Sequence, residues 1–167
     1  MKVTVRGALA AIFILANCLV AVATTSVLSR QPAANEFVVR RLDGATVVVS
    51  PGPEWFPIER HAGDEWAWSS GVARLQLQVD GHRTTGALTV RFGLRGTTQG
   101  TVSVRRGNDT LWKGPVGTDL VRVAIEGLTL SPGINTLEFA TDAPGIVEPA
   151  EHGGRTLAFA LYNVRIE

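Results

Sequence analysis

The sequence predicts an all-β fold: an antiparallel β-sandwich, closed as a jelly roll, behind an N-terminal apolar leader helix. Three observations predict it. Ala73, Leu75, Leu77 and Val79 alternate with Arg74, Gln76 and Gln78, a period of two with one polar face, which marks an antiparallel strand half buried against a core. Runs of the same kind recur through the chain at short, regular spacing, nine to ten in all, and no convincing helical period interrupts them. The breaks between them are turn formers: Asp43-Gly44, Asp80-Gly81, Gly107-Asn108-Asp109 and Ser131-Pro132-Gly133. Eight or more short strands with such punctuation suit two packed antiparallel sheets.

The leader comes first in the chain. Lys2 and Arg6 precede an apolar run from Gly7 to Leu28 with a small-x-small site at Ala21-Val22-Ala23. This is the pattern of a secretory signal peptide. Left uncleaved, the same run is about the 20 residues that span a bilayer. Either way the basic start places the remainder outside the cytoplasm: periplasmic, secreted, or anchored to the inner membrane facing outward. The expected organisation is 1–29 leader or anchor, 30–35 a polar spacer, and 36–167 one sandwich domain.

Cys18, the single cysteine, falls inside the leader. The exported part therefore has neither a disulfide nor a thiolate metal site, and its core alone must hold it. The chain has 16 basic and 15 acidic residues, and Met1 to Ala23 holds two of the basic and none of the acidic. Removing that segment moves the net charge from +1 to −1. With no basic stripe beyond Arg40-Arg41 and Arg105-Arg106, the balance argues against a nucleic-acid partner.

Within the domain, Glu36 to Leu42 and Ala45 to Val49 are β-rich runs about Asp43-Gly44, a hairpin turn pair. Ser50 to Trp55 breaks the chain with two prolines and a glycine. Trp55 to Ile58 follows as a short extended piece, and His61 to Asp64 as a loop. Trp66 and Trp68 open the strand that runs on past Ser69-Ser70-Gly71. Leu88, Val90, Phe92 and Leu94 share one face, as do Val102 and Val104, then Val121, Val123 and Ile125, then Leu137 and Phe139. Residues 143–154 form the longest loop. The last run, Arg155 to Ile166, is apolar at nearly every position, as a strand covered on both sides would be.

No residue pattern specifies a reaction. A nucleophilic triad needs a histidine base beside Ser or Thr; His61, His82 and His152 lie in loops, and no nucleophile elbow is present. His61 with Asp64 and Glu151 with His152 would offer metal ligands only if two loops met. Glu59, Asp64, Glu65, Glu148 and Glu151 are loop acids that a glycosidase pair would draw on. Asn108-Asp109-Thr110 is a formal N-glycosylation acceptor. No cofactor, metal or catalytic residue is assigned.

The aromatic residues are the stronger lead. Sugar rings stack on aromatic faces while polar neighbours meet the hydroxyls. Trp55, Trp66, Trp68 and Trp112 are the candidate ligand-binding residues. Trp66 and Trp68, two apart, share one side of a strand. Both also read as core, or as cover for an open end of the sandwich. Trp112, bounded by turns, is expected to be the most exposed.

Three stretches carry a family resemblance: Trp55 to Glu59 (WFPIE), Trp66 to Leu77 with its W-x-W-S-S-G step, and Leu157 to Ile166 (LAFALYNVRI). They resemble the extracytoplasmic jelly-roll modules, carbohydrate-binding-module-like in shape, that are appended to some polytopic bacterial glycosyltransferases of the mannosyltransferase type. The resemblance implies a sandwich without enzymatic activity, associated with the cell envelope and with glycan. It supplies no catalytic residue, and this chain has no polytopic region. The expected function is a non-enzymatic extracytoplasmic binding module for envelope or extracellular glycan. The alternative is a structural or protein-interaction sandwich that meets an envelope protein and takes no small ligand. Membrane contact would come through the N-terminal segment if it is retained.

Overall fold

The computed structural model describes residues 33–42 and 44–167. The expected leader, Cys18, the start of the spacer and Asp43 lie outside the described residues. Thirteen strands follow in order: β1 (Val38–Leu42), β2 (Ala45–Pro51), β3 (Glu59–His61), β4 (Asp64–Ser69), β5 (Val72–Asp80), β6 (Leu88–Gly96), β7 (Gly100–Arg106), β8 (Asp109–Val116), β9 (Val121–Leu128), β10 (Gly133–Thr141), β11 (Ile146–Val147), β12 (Thr156–Leu157) and β13 (Phe159–Ile166). One 3-10 turn, Ala150–His152, lies between β11 and β12.

Two antiparallel sheets make the sandwich. One has six strands in the order β1-β2-β5-β10-β7-β8, and the other has five in the order β3-β4-β13-β6-β9. From β5 onward the chain crosses between sheets at almost every connection, the winding of a jelly roll. The core lies between the sheets and is built from the faces that alternation picks out. Ala73, Leu75, Leu77 and Val79 of β5 are all buried, as are Leu88, Val90, Phe92 and Leu94 of β6 and Leu137 and Phe139 of β10.

Several local details differ from the sequence reading. The expected loop His61 to Asp64 is a two-residue hairpin joining β3 to β4, with Ala62 at φ 51° and Gly63 at φ 89°. That left-handed pair matches the twist of the flanking strands. β2 continues through Ser50 and Pro51, beyond the last residue that β1 pairs, so Pro51 has a strand neighbour on one side only. The long loop 143–154 contains a strand, β11, which pairs with β12 through Ile146–Leu157 and Val147–Thr156. The final strand is covered on both sides only from Leu157 to Leu161; Tyr162 and Asn163 are half exposed.

Trp55 is part of the core. It is 6 % exposed, with Phe139 and Phe159 edge-on to its ring at 5.8 and 5.4 Å. Its indole N–H donates to the Arg74 carbonyl at 2.9 Å, which meets the one polar need of a buried tryptophan.

Candidate functional site

The outer face of the five-stranded sheet gathers the half-exposed aromatics. In β4, Ala67 and Ser69 point inward and are fully buried, so Asp64, Trp66 and Trp68 point outward. Trp66 pairs with Tyr162 across the β4–β13 ladder, and Trp68 pairs with Ala160. Residues directly opposite in a ladder share a face. Glu59, opposite Trp66 on β3, joins them. Phe56 precedes β3, its N–H donates to the Trp68 carbonyl at 2.8 Å, and it is half exposed on the same side.

The middle of this face is low. Gly93 of β6 lies opposite Tyr162, and Ala160 lies opposite Arg95. A side chain at Gly93 would meet Leu120 Cδ1 at 2.9 Å and Tyr162 Cβ at 3.2 Å. Leu120, 46 % exposed, therefore lies across the strand beside the tyrosine. Arg91 and Arg95 flank Gly93 on the same face, and Arg122 faces Gly93 from β9.

Together these residues line a groove. One part, of about 520 Å³, is walled by Tyr162, Asn163, Leu120, Arg91, Arg122 and Arg165. A second, of about 380 Å³, shares Tyr162, Asn163 and Leu120 with the first and adds Arg95, Thr118 and Asp119. A third, of about 350 Å³, shares Arg95 and Thr118 with the second and reaches Trp68, Ile146 and Glu148. The three share walls and lie as neighbouring depressions along β6. From Arg91 to Arg95 they span about 13 Å of strand.

Two features set its shape. The first is a bulge in β13. Tyr162 pairs with Gly93 and Arg165 with Arg91, so two β13 residues face Phe92. Asn163 takes φ 47° there, a left-handed conformation that asparagine tolerates better than most residues. Its side-chain oxygen accepts the Glu65 N–H at 3.0 Å, and its amide donates to Asp64 Oδ1 at 2.7 Å. The bulge returns Val164 to the core and keeps Arg165 outward.

The second is a clasp at the other end. Arg155 grips both oxygens of Glu148, at 2.7 and 3.1 Å, and reaches Glu59 at 3.0 Å. Its guanidinium lies 5.2 Å from the centre of the Phe56 ring. Hydrogen bonds from Arg155 hold the Glu148 carboxyl below the usual carboxylate range, against a smaller opposing effect of burial. The two carboxylates in turn raise the pKa of Arg155. This clasp ties the β11–β12 hairpin to the edge of the sheet.

Trp66 and Trp68 are on the same side, half exposed on the outer sheet face, neither in the core nor at an open end of the sandwich. Trp55 offers no face to a ligand. Trp112 is half-buried and packs against the core. A bulge in β8 pairs it with buried Val104 across the edge of the six-stranded sheet, and its indole folds over Gly114. His61 and Asp64 are ladder neighbours, whereas Glu151 and His152 are on the 3-10 turn. Among the described residues no three metal-ligating side chains converge. Glu65 is partly buried and its pKa is raised by that burial, with Arg60 opposing. Tyr162, Asn163, Leu120 and the groove arginines were not singled out by sequence. The outward slots between Leu88, Val90, Phe92 and Leu94 would have marked Arg91, Gly93 and Arg95 as one face.

No family model matches the chain, and no curated protein is similar to it. Solved structures of low similarity include a family 29 carbohydrate-binding module complexed with mannohexaose, 10 % identical, covering 81 % of this chain and 89 % of that one at a TM-score of 0.40. Another is a family 6 module from Clostridium stercorarium in complex with cellobiose, 13 % identical, covering 68 % and 82 % at 0.37. A further family 29 module is 13 % identical, covering 74 % and 86 % at 0.37.

Proposed function

We propose that the protein is a non-enzymatic glycan-binding module whose ligand lies in the groove on the outer face of the five-stranded sheet, and that it works outside the cytoplasm. The observation that carries this reading is the concentration of Phe56, Trp66, Trp68 and Tyr162 on one sheet face beside an open groove. Exposed aromatic rings on a strand cost solvation unless something covers them, and a sugar ring offers a matching apolar C–H face. Arg95, Asp119, Asn163 and Thr118 supply the few polar groups that orient a ligand in such a site. The opposite outer face, on the six-stranded sheet, has no aromatic residue among its outward positions Arg74, Gln76, Gln78, Glu138, Ser103 and Arg105.

The groove supports binding rather than hydrolysis. Of the five loop acids, Glu59 and Glu148 share the Arg155 guanidinium, and Glu65 pairs with Arg60 at 3.2 Å. Glu148 is held in its charged form by Arg155, which makes it a poor general acid. A second reading, contact with an envelope protein, is favoured by the exposed Ile146 and Val147 of β11.

The test is a glycan array probed with the wild-type protein and with Tyr162→Ala and Trp68→Ala. Binding that is lost in both folded variants supports the groove. Binding unaffected by either variant places the glycan site outside the groove, and absence of binding from the whole array removes the glycan reading in favour of the protein-contact one.

A further inference from the structure

We infer that the groove selects acidic saccharides, with a sugar carboxylate received between Arg95 and Arg122; this rests on the glycan reading above. Most arginines that meet an acid on this sandwich are already satisfied. Arg60 pairs with Glu65, Arg74 with Glu54 and Glu138, Arg91 with Glu167, and Arg155 with Glu59 and Glu148. The guanidiniums of Arg95 and Arg122 make neither an ion pair nor a hydrogen bond among the described residues, and both line the groove.

Their spacing follows from the ladder. Arg122 lies opposite Gly93, and Arg95 is two residues along the same strand. Diagonal neighbours of this kind are about 7–8 Å apart. Side chains rooted that far apart can both reach one anion between them, which would meet positive charge on either side. Gly93 leaves room for the tip of Leu120, which with Tyr162 forms an apolar floor between the two arginines. The planar guanidinium fork matches a carboxylate bidentately, a geometry that a neutral hydroxyl does not reward equally.

The groove's own acids leave that role open. Asp64 is engaged by the Asn163 amide. Asp119 lines the same stretch and is the one acid that would compete for Arg95 or Arg122. A ring stacked on the aromatic wall with its carboxylate toward β6 and β9 would use both kinds of contact at once.

The experiment compares the full chain binding to three uronate polymers (polygalacturonate, alginate and hyaluronan), to neutral galactan, and to polyglutamate as a polyanion without sugar rings. The expected result is at least tenfold preference for one uronate polymer over galactan and over polyglutamate. R95Q and R122Q should each weaken that binding about tenfold while leaving the circular dichroism spectrum unchanged. A further variant, K113Q, removes a cation outside the groove and should leave affinity unchanged. Equal or better binding to galactan would overturn the acidic preference and leave the glycan reading standing. Binding to polyglutamate as strong as to the uronate, or indifference to both arginine variants, would overturn it too. Failure to bind any of these polymers would overturn the acidic preference and leave the glycan reading to the array.

Discussion

The rings of Trp66 and Tyr162 lie nearly parallel, 20° between planes and 5.7 Å between centroids, on neighbouring strands of the five-stranded sheet. A cross-strand aromatic pair of this kind stiffens both side chains, so the tyrosine stands as a fixed wall of the groove. Tyr162→Ala should therefore do two separable things. Stability should fall by about 1 kcal/mol, the scale of one stacked pair, read from the urea midpoint. Glycan affinity should be lost altogether in a protein that still unfolds cooperatively. Loss of stability without loss of affinity would place the ligand elsewhere.

The two kinds of tryptophan should separate sharply by mutation. Trp55 is enclosed by Phe139 and Phe159 and donates to a backbone carbonyl. Trp55→Ala should cost about 3–5 kcal/mol, as for other large core truncations. Trp68→Ala, on a half-exposed outer position, should cost far less. Acrylamide quenching of the wild type should accordingly show one protected and three more accessible tryptophans. Uniform quenching would contradict the burial of Trp55.

Two glycines make a similar contrast. At Gly52 an added Cβ would stand 2.8 Å from the Arg74 carbonyl oxygen, which already accepts the Gly52 N–H at 2.7 Å. Backbone cannot give way there, so Gly52→Ala should cost at least about 3 kcal/mol, the upper end for overpacking. At Gly93 the closest atom is the far end of Leu120, which is free to swing outward. Gly93→Ala should change stability by no more than about 1 kcal/mol but raise the groove floor and weaken binding. Chemical denaturation of both variants, with a binding titration for the second, checks the pair.

The alternation of β5, β6, β7 and β10 was legible because each strand has one buried face, and period two survives wherever that holds. Hence the fold class and most strand positions followed from sequence. The site was only half legible. Trp66 and Trp68 declared a shared side, but nothing local says whether that side meets the core or solvent. That depends on Ala67 and Ser69 pointing at the other sheet. Tyr162 and Asn163 were hidden by the apolar run before them, whose buried outward residue, Ala160, is small enough to lie under its neighbours. At Trp112 a one-residue bulge, invisible in the sequence, sets the side chain against the edge of the core. Gly93 and Leu120 became meaningful only when the ladder set them against Tyr162.

The Arg155 clasp should give the protein a measurable acid sensitivity. Glu148 is held below its ordinary 4.5 chiefly by hydrogen bonds from Arg155. A carboxyl whose folded pKa is lowered stabilises the fold fully above its unfolded value, and that contribution is lost as pH falls through the folded one. Glu167, lowered by Arg91, and Asp142, lowered by the Thr101 N–H, act in the same direction. Thermal midpoints should therefore decline as pH falls from about 5 to about 3. In Glu148→Gln the decline should be shallower but still present, since the other two carboxyls remain. The variant should also loosen β11, so amide exchange at Val147 and Glu148 should quicken at neutral pH. A midpoint curve parallel to that of the wild type, with unchanged exchange, would mean that the guanidinium contact does not hold the hairpin to the sheet.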